Sequence, residues 1–339
     1  MKILTIGLDR RVLDFSSVVA QRQAEYFKGH DVSFLLLDVP DRAKLFVFFS
    51  VIIQAFFSKG FDVVTAQDPF FCGIIGSVAA WRSGAGLHIQ DHSGAFGREA
   101  FGWKEKLLRP LARFILRCAD RVRTVSLRGK KGLMHIGISE DRIDVIPVAT
   151  DVSYFTFHGR RETNEILCIA RLEKEKGIDV LLMAFQRLKQ VHPEYSLTIV
   201  GDGSLRSLFD TGIEDVRFVG NQSDVRPYLE RAAVYVQPSY FEGWGMSLVE
   251  AAASGVPIVM TDVGLAGDVI CDGESGLIVP RGDAERLASS IQQLLNDRIF
   301  GERLAVQARK QVDRLPTRAQ CAESFRESLH KASCVYLSA

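Results

Sequence analysis

Val234-Tyr235-Val236-Gln237-Pro238-Ser239-Tyr240-Phe241-Glu242-Gly243-Trp244-Gly245-Met246-Ser247-Leu248-Val249-Glu250-Ala251-Ala252-Ala253-Ser254-Gly255-Val256-Pro257-Ile258-Val259-Met260-Thr261 contains one complete folding unit. Residues 234–237 form a short apolar run rich in β-branched side chains and read as a buried strand. A Gly-x-Gly turn leads into a helical stretch at 246–253, and 257–261 reads as the next strand. Strand, helix and strand in that order imply a parallel pair joined by a crossover.

The same rhythm extends in both directions. In the C-terminal half, 165–170, 196–200, 216–219 and 277–279 also read as strands, with helical patterns at 177–191, 225–232 and 284–296. In the N-terminal half, strands are expected at 2–7, 32–37, 63–66, 87–90, 121–125 and 144–146, and helices at 16–28, 45–59 and 104–119. Continuous apolar strands alternating with helices indicate a parallel sheet covered on both faces. A polar break at 158–165 separates the two sets. The fold class expected is α/β, as two Rossmann-like parallel-sheet domains facing each other across a cleft. They would span 1–157 and 158–316, with a C-terminal helix at 317–337 returning to the first domain. Open sheets of this kind bind ligands at the C-terminal ends of their strands, so the cleft is the default site.

Composition narrows the function. The 339 residues carry 42 Lys and Arg against 41 Asp and Glu, a net charge of +1, which argues against a general nucleic-acid coat. The six cysteines, Cys72, Cys118, Cys168, Cys271, Cys321 and Cys334, lie at least 13 positions apart. They form no metal-finger spacing and read as reduced thiols of a cytoplasmic protein. Asp9, Arg10 and Arg11 stand where a signal peptide needs its apolar stretch. The longest charge-free run, 45–58, has 14 residues, whereas a membrane-spanning helix needs about 20.

The chemistry concentrates around the opening stretch. Glu242 and Glu250 lie eight apart, with Gly243-Trp244-Gly245 directly after the first. Free backbone N–H groups at the helix start near Met246, and the helix dipole, favour an anionic ligand. The glycines let that ligand approach the backbone. Glu250 falls about one turn into the helix, within reach of a ribose hydroxyl, and Glu242 on the loop is placed to face a sugar. Farther upstream, Arg171 and Lys176 flank Leu172-Glu173-Lys174-Glu175 between a strand and a helix. Two such cations suit a diphosphate, one as a planar fork and one as a point charge. Gly201-Asp202-Gly203 is a further glycine turn at a strand end.

The stretch from Pro238 to Ala251 resembles the E-x7-E motif of retaining GT-B glycosyltransferases, specifically glycosyltransferase family 4. The likeness continues through Ala253-Ser254-Gly255-Val256-Pro257-Ile258-Val259 and Gly273-Glu274-Ser275-Gly276-Leu277-Ile278-Val279-Pro280, and Arg171 with Lys176 resembles the family's Arg-x4-Lys element. The resemblance implies a GT-B fold and a retaining sugar transfer from a GDP-, UDP- or ADP-linked donor, with no obligatory metal or other cofactor. It assigns Glu242, His92, Arg171 and Lys176 to catalysis. It assigns Arg171, Lys176, Gly201, Gly243, Trp244, Gly245, Met246 and Glu250 to donor binding. The acceptor would be a saccharide or lipid-linked hydroxyl in cell-envelope polysaccharide, glycolipid or glycoconjugate synthesis. A sugar-nucleotide epimerase of the same fold and a catalytically silent binding partner are the alternatives.

The N-terminal half departs from the family pattern. Gln90-Asp91-His92-Ser93-Gly94 resembles the "HxD" loop with His92 as its histidine, but Gly94 stands in place of the acid. Ser16-Ser17 replaces the usual glycine pair before the first helix, and Pro147-Val148-Ala149-Thr150-Asp151 replaces the usual Pro-Asn-Gly-Val-Asp. This half is also the basic one: residues 98–131 hold eleven basic and three acidic residues. Arg109, Arg113 and Arg117 recur on one helical face. Two readings stand: a solvated basic helix, or peripheral contact with an anionic membrane at its inner face. The phenylalanine-rich run at 44–59 has apolar residues on nearly all sides, a pattern that more often means burial in a core.

Overall fold

The computed structural model describes residues 1–37, 44–94, 96, 103–156, 163–209 and 212–334. Two compact units emerge, one of Met1–Ala149 with Pro316–Ala339, the other of Thr150–Leu315. The expected boundary at residue 158 lies outside the described residues.

In the first unit, β1 (Lys2–Gly7), α1 (Val18–Tyr26), β2 (Asp31–Leu36), α2 (Lys44–Phe57), β3 (Val63–Ala66), α3 (Phe71–Ser83), β4 (Gly86–Asp91), α4 (Trp103–Cys118), β5 (Arg121–Thr124), α5 (Leu127–His135) and β6 (Ile143–Val145) alternate along the chain. The strands form one parallel sheet in the order β2-β1-β3-β4-β5-β6. One face of it packs Leu4, Ile6 and Val64 against Ala55, Ile75, Leu116 and Leu133, one from each of α2 to α5. Right-handed crossovers put those four helices in one layer. The other face packs Ile3 and Val63 against Tyr26, Phe27 and the final helix, whose Phe325 is fully buried and stacks on Tyr26 at 4.8 Å.

The second unit contains β7 (Glu165–Ile169), α6 (Ile178–Val191), β8 (Ser196–Val200), β9 (Val216–Phe218), α7 (Arg226–Arg231), β10 (Val234–Gln237), α8 (Met246–Ala253), β11 (Ile258–Thr261), β12 (Leu277–Val279), α9 (Ala284–Asn296) and α10 (Arg298–Val312); α11 (Arg318–Cys334) then joins the first unit. Its parallel sheet runs β12-β11-β10-β7-β8-β9. The chain builds outward from β7 to β9 and restarts at β10 on the other side of β7. That reversal falls between β7 and β10, and open sheets place their ligands beyond the carboxyl ends of strands at such a point.

Three local findings refine the sequence reading. Ser17 caps α1, its side chain accepting from the Ala20 amide, so the serine in place of a glycine still starts the helix. Helix α5 went unassigned because Gly129 and Gly132 weaken helix propensity. A side chain at 129 would come within 2.2 Å of Thr124 Oγ1, so close packing on β5 requires the glycine. The burial expected of the phenylalanine run is corrected: α2 seats Val51 and Ala55 in the core but leaves Phe49, Ile53 and Phe57 exposed.

Candidate active site

The loops after β7 and β10 are fastened together at backbone level. Gly177 has φ +64°, and a Cβ there would sit 2.1 Å from the Pro238 carbonyl oxygen. The Glu175 carbonyl accepts from the amides of Tyr240 and Phe241 at 2.9 and 3.3 Å. Lys176, between these two anchors, therefore has little choice of position. Its Nζ donates to Glu242 Oε1 at 2.7 Å, with side-chain exposures of only 13% and 12%. Ser239 Oγ, itself buried, donates to the same oxygen at 2.9 Å. An ion pair removed this far from water holds its geometry, and loss of either member strands the other charge.

Glycine also shapes the start of α8. Gly245, at φ +94°, occupies its N-cap and supplies no side-chain cap, so the first-turn amides keep the donor capacity that favours an anion. Gly264 backs the loop: a Cβ at this residue would lie 3.0 Å from both the Glu242 Cβ and the Trp244 carbonyl oxygen. Met246 is exposed at the helix start and Trp244 is buried with its Nε1 unpartnered. Glu250, one turn along, is half-buried, and burial alone raises its carboxyl pKa. Gln237 was missed by sequence reasoning. Its side chain is buried behind Gly245, and among the described residues neither amide atom has a hydrogen-bond partner. Such unpaired buried groups carry a desolvation cost, and they cluster here. A polar residue ending an otherwise apolar strand was the available signal.

Arg171 and Lys176 pair with different carboxylates. Arg171 is 69% exposed and pairs with Glu175 at 3.0 Å. Glu173 accepts from the amide and hydroxyl of Ser204. Gly201 adopts φ +130°, and a Cβ there would meet the Ala170 carbonyl oxygen at 2.0 Å, so this turn lies directly against the end of β7.

His92 belongs to the first unit, just past the end of β4. Its Nε2 lies 3.1 Å from Gln90 Oε1. Asp91 Oδ1 accepts from the Ser93 amide and hydroxyl, which commits that oxygen to the turn leading into Gly94, at φ +58°. Surrounding protein, then the charges of Arg123 and Arg22, lower the His92 pKa. The residue surface is exposed, so water damps the shift without reversing it, and the imidazole is neutral at pH 7.

Residues 155–311 match the family described as glycosyl transferases group 1, and residues 5–149 match the glycosyl transferase 4-like domain. The chain belongs to the group 1 glycosyltransferases. Its GT-B architecture is shared with the sucrose-phosphate synthase of Thermosynechococcus elongatus (TM-score 0.79, 20% identity, all of both chains). It is shared too with Anabaena HepE, solved with UDP and glucose (TM-score 0.76, 17% identity, 97% of this chain and 99% of that one). In sequence, this group 1 glycosyltransferase is 30% identical over 242 residues to glycogen synthase of Mycobacterium tuberculosis, covering 67% of this chain and 56% of that protein. It is 26% identical over 265 residues to the capsular polysaccharide biosynthesis glycosyltransferase CapM of Staphylococcus aureus, covering 71% and 69%. The chain thus spans a little over half the length of the first of these relatives.

Proposed function

We propose that this chain is a retaining glycosyltransferase. It would move a sugar from a nucleoside-diphosphate sugar to a hydroxyl acceptor in the synthesis of a cell-envelope polysaccharide, glycolipid or glycoconjugate. The observation that carries the reading is the Lys176–Glu242 pair at 2.7 Å, beside the switch point and the N-terminus of α8. As the bond between the anomeric carbon and the diphosphate oxygen breaks, its electron pair stays on the phosphate. Lys176 and the α8 amides stabilise that charge, and Arg171 adds a second cation from the outer edge. The acceptor oxygen bonds the anomeric carbon from the same face and passes its proton to the leaving phosphate. Glu242 holds Lys176 and takes a sugar hydroxyl, Glu250 takes the ribose hydroxyls, and His92 contacts the sugar or the reacting oxygen. No metal is assigned a step. The UDP and glucose in HepE and the capsular role in CapM's name support this donor and acceptor class.

The reading extends to a cytoplasmic protein in peripheral contact with an anionic membrane. Among the described residues, no helix is long and apolar enough to cross a membrane. In the α2–α4 layer Glu105 is the only acidic residue of the three helices, while Phe57, Trp81, Leu107 and Phe114 are each more than 60% exposed. Beside α4, Lys106, Arg109, Arg113 and Arg117 line an open groove of about 780 Å³. Exposed aromatic side chains beside basic ones suit an anionic bilayer surface. Arg98 lies outside the described residues.

Thermal shift with GDP-, UDP- and ADP-sugars, followed by donor turnover and the anomeric configuration of the product, tests the transferase. One donor should raise Tm and its product should keep the donor's configuration. Inversion, epimerised donor without transfer, or no response to any donor would each overturn it. Flotation with anionic against zwitterionic vesicles tests the membrane contact separately; equal recovery would rule it out.

A further inference from the structure

We propose that Gln90 and Arg123 are positioning residues that hold His92 in one tautomer, with the proton on Nε2 and the lone pair on Nδ1. The proposal rests on the reading of His92 as a group that contacts the sugar or the reacting oxygen.

Arg123 is 2% exposed. Its Nε donates to the Ile146 carbonyl at 3.1 Å. Its Nη1 donates to Gln90 Oε1 at 3.1 Å, and its Nη2 to the Pro147 carbonyl at 3.1 Å and to Tyr26 Oη at 3.4 Å. The guanidinium also stacks over the rings of Tyr26 and Phe325. A guanidinium only donates, so the Gln90 amide atom facing it is the oxygen. That same oxygen lies 3.1 Å from His92 Nε2. Two acceptors cannot share a hydrogen bond, so His92 Nε2 carries the proton and Nδ1 is left as the acceptor.

The other end of Gln90 is fixed as firmly. Its Nε2 donates to Thr65 Oγ1 at 3.1 Å, and the Thr65 hydroxyl is 2.8 Å from His88 Nδ1. With Thr65 donating there, His88 keeps its proton on Nε2, which is 3.1 Å from Ser328 Oγ of α11. Ser328 in turn donates to Asp144 Oδ2 at 2.6 Å, and Asp144 is paired with Arg121. Every bond from His92 onward donates toward that carboxylate, so the bonds polarise one another in one direction. Burial, then the Arg123 charge, push the His88 pKa down to about 3, which keeps it in the neutral form this chain requires.

An unrestrained neutral imidazole populates both tautomers and turns about its side-chain bond. Here one buried cation restrains the His92 ring through Gln90 and also ties down Pro147, at the start of the 147–151 loop. His92 then offers a fixed acceptor in a loop where Gly94 stands instead of an acid.

The test is long-range 1H–15N correlation on intact protein labelled at histidine, with His92 assigned by its loss in His92→Asn. The wild type should show the Nε2–H form of His92. Gln90→Leu should give a mixture of tautomers, and Gln90→Glu, which still offers an acceptor, should keep the Nε2–H form. Gln90→Asn, one methylene shorter, is read instead if Gln90→Leu does not fold. With the donor found by the screen, Gln90→Leu should lower kcat about tenfold, a part of the 10²–10⁴-fold such groups supply, at unchanged donor KM; Gln90→Glu should restore it. A wild-type mixture, a tautomer indifferent to Gln90→Leu, or a lost tautomer with unchanged kcat would each overturn the proposal. The spectra need no substrate, so they decide the tautomer even if the transferase reading fails.

Discussion

The loops that would hold the donor and the loop that carries His92 are made rigid by different means. In the second unit the restraint is backbone on backbone: Gly177, Gly201 and Gly264 each stand where a Cβ would come within 3.0 Å of a carbonyl oxygen. In the first unit the restraint is side chain on side chain, through Arg123, Gln90, Thr65, His88 and Ser328. The first kind demands glycine at set positions and writes a motif into the sequence. The second accepts many residue combinations and writes none. This is why the loops of the second unit resemble the family motif closely, while the His92 loop of the first unit departs from the pattern.

Substitutions can break or sharpen this contrast. The largest effect is expected at the ion pair. Lys176→Ala should cost roughly 10²–10³-fold in turnover, the range for one preorganised electrostatic donor. Exposed Arg171, paired outward, should cost no more than about fivefold as Arg171→Ala, in line with a surface ion pair worth up to about 1 kcal/mol. Steady-state kinetics of both variants decide the matter; equal losses would restore Arg171 to an equal role.

Next is the glycine fastening. Gly177→Ala should destabilise the second unit by about 3 kcal/mol, because strain at positive φ of about 1–3 kcal/mol is joined by a collision with backbone. Urea denaturation measures it. A variant as stable as wild type would show that the two loops are not held through this contact.

Smaller, and opposite in sign, is Glu250. Its pKa is raised by burial, so both folded and unfolded chains are neutral below the ordinary value of about 4.3. Stability is then lost as pH rises through the folded pKa, because the unfolded chain releases this proton more readily. Glu250→Gln should therefore raise Tm at pH 7 by about 2–4 °C, a shift worth about 1 kcal/mol in a domain of this size. It should leave Tm unchanged near pH 4 and weaken donor binding. A Tm gain that persists at pH 4 would mean that packing, not charge, is responsible.

Much of the architecture was legible because the signals are local. β1, β3, β8, β10 and β12 begin and end where their apolar runs do. The E-x7-E spacing and the turn before Met246 marked the loop in which Glu242 meets Lys176, through chemistry confined to a dozen residues. Reading the α2 phenylalanines as core failed because periodicity counts apolar faces but does not say which are covered. Arg171 and Lys176 read alike as diphosphate cations, but the sequence does not say that Arg171 pairs with Glu175 four residues on.

The sequence by itself determined two parallel α/β sheets, the glycine turns and the loop before α8, since strand, helix and turn preferences act over neighbours in the chain. Tertiary structure decided which charges meet and what lies beneath His92. Lys176 reaches Glu242 across 66 residues, and His88 reaches Ser328 across 240. A hydrogen bond depends on distance in space and leaves no spacing in the sequence; only the pairing of β7 with β10, and the packing of α11 on β4, bring those partners within 3.1 Å.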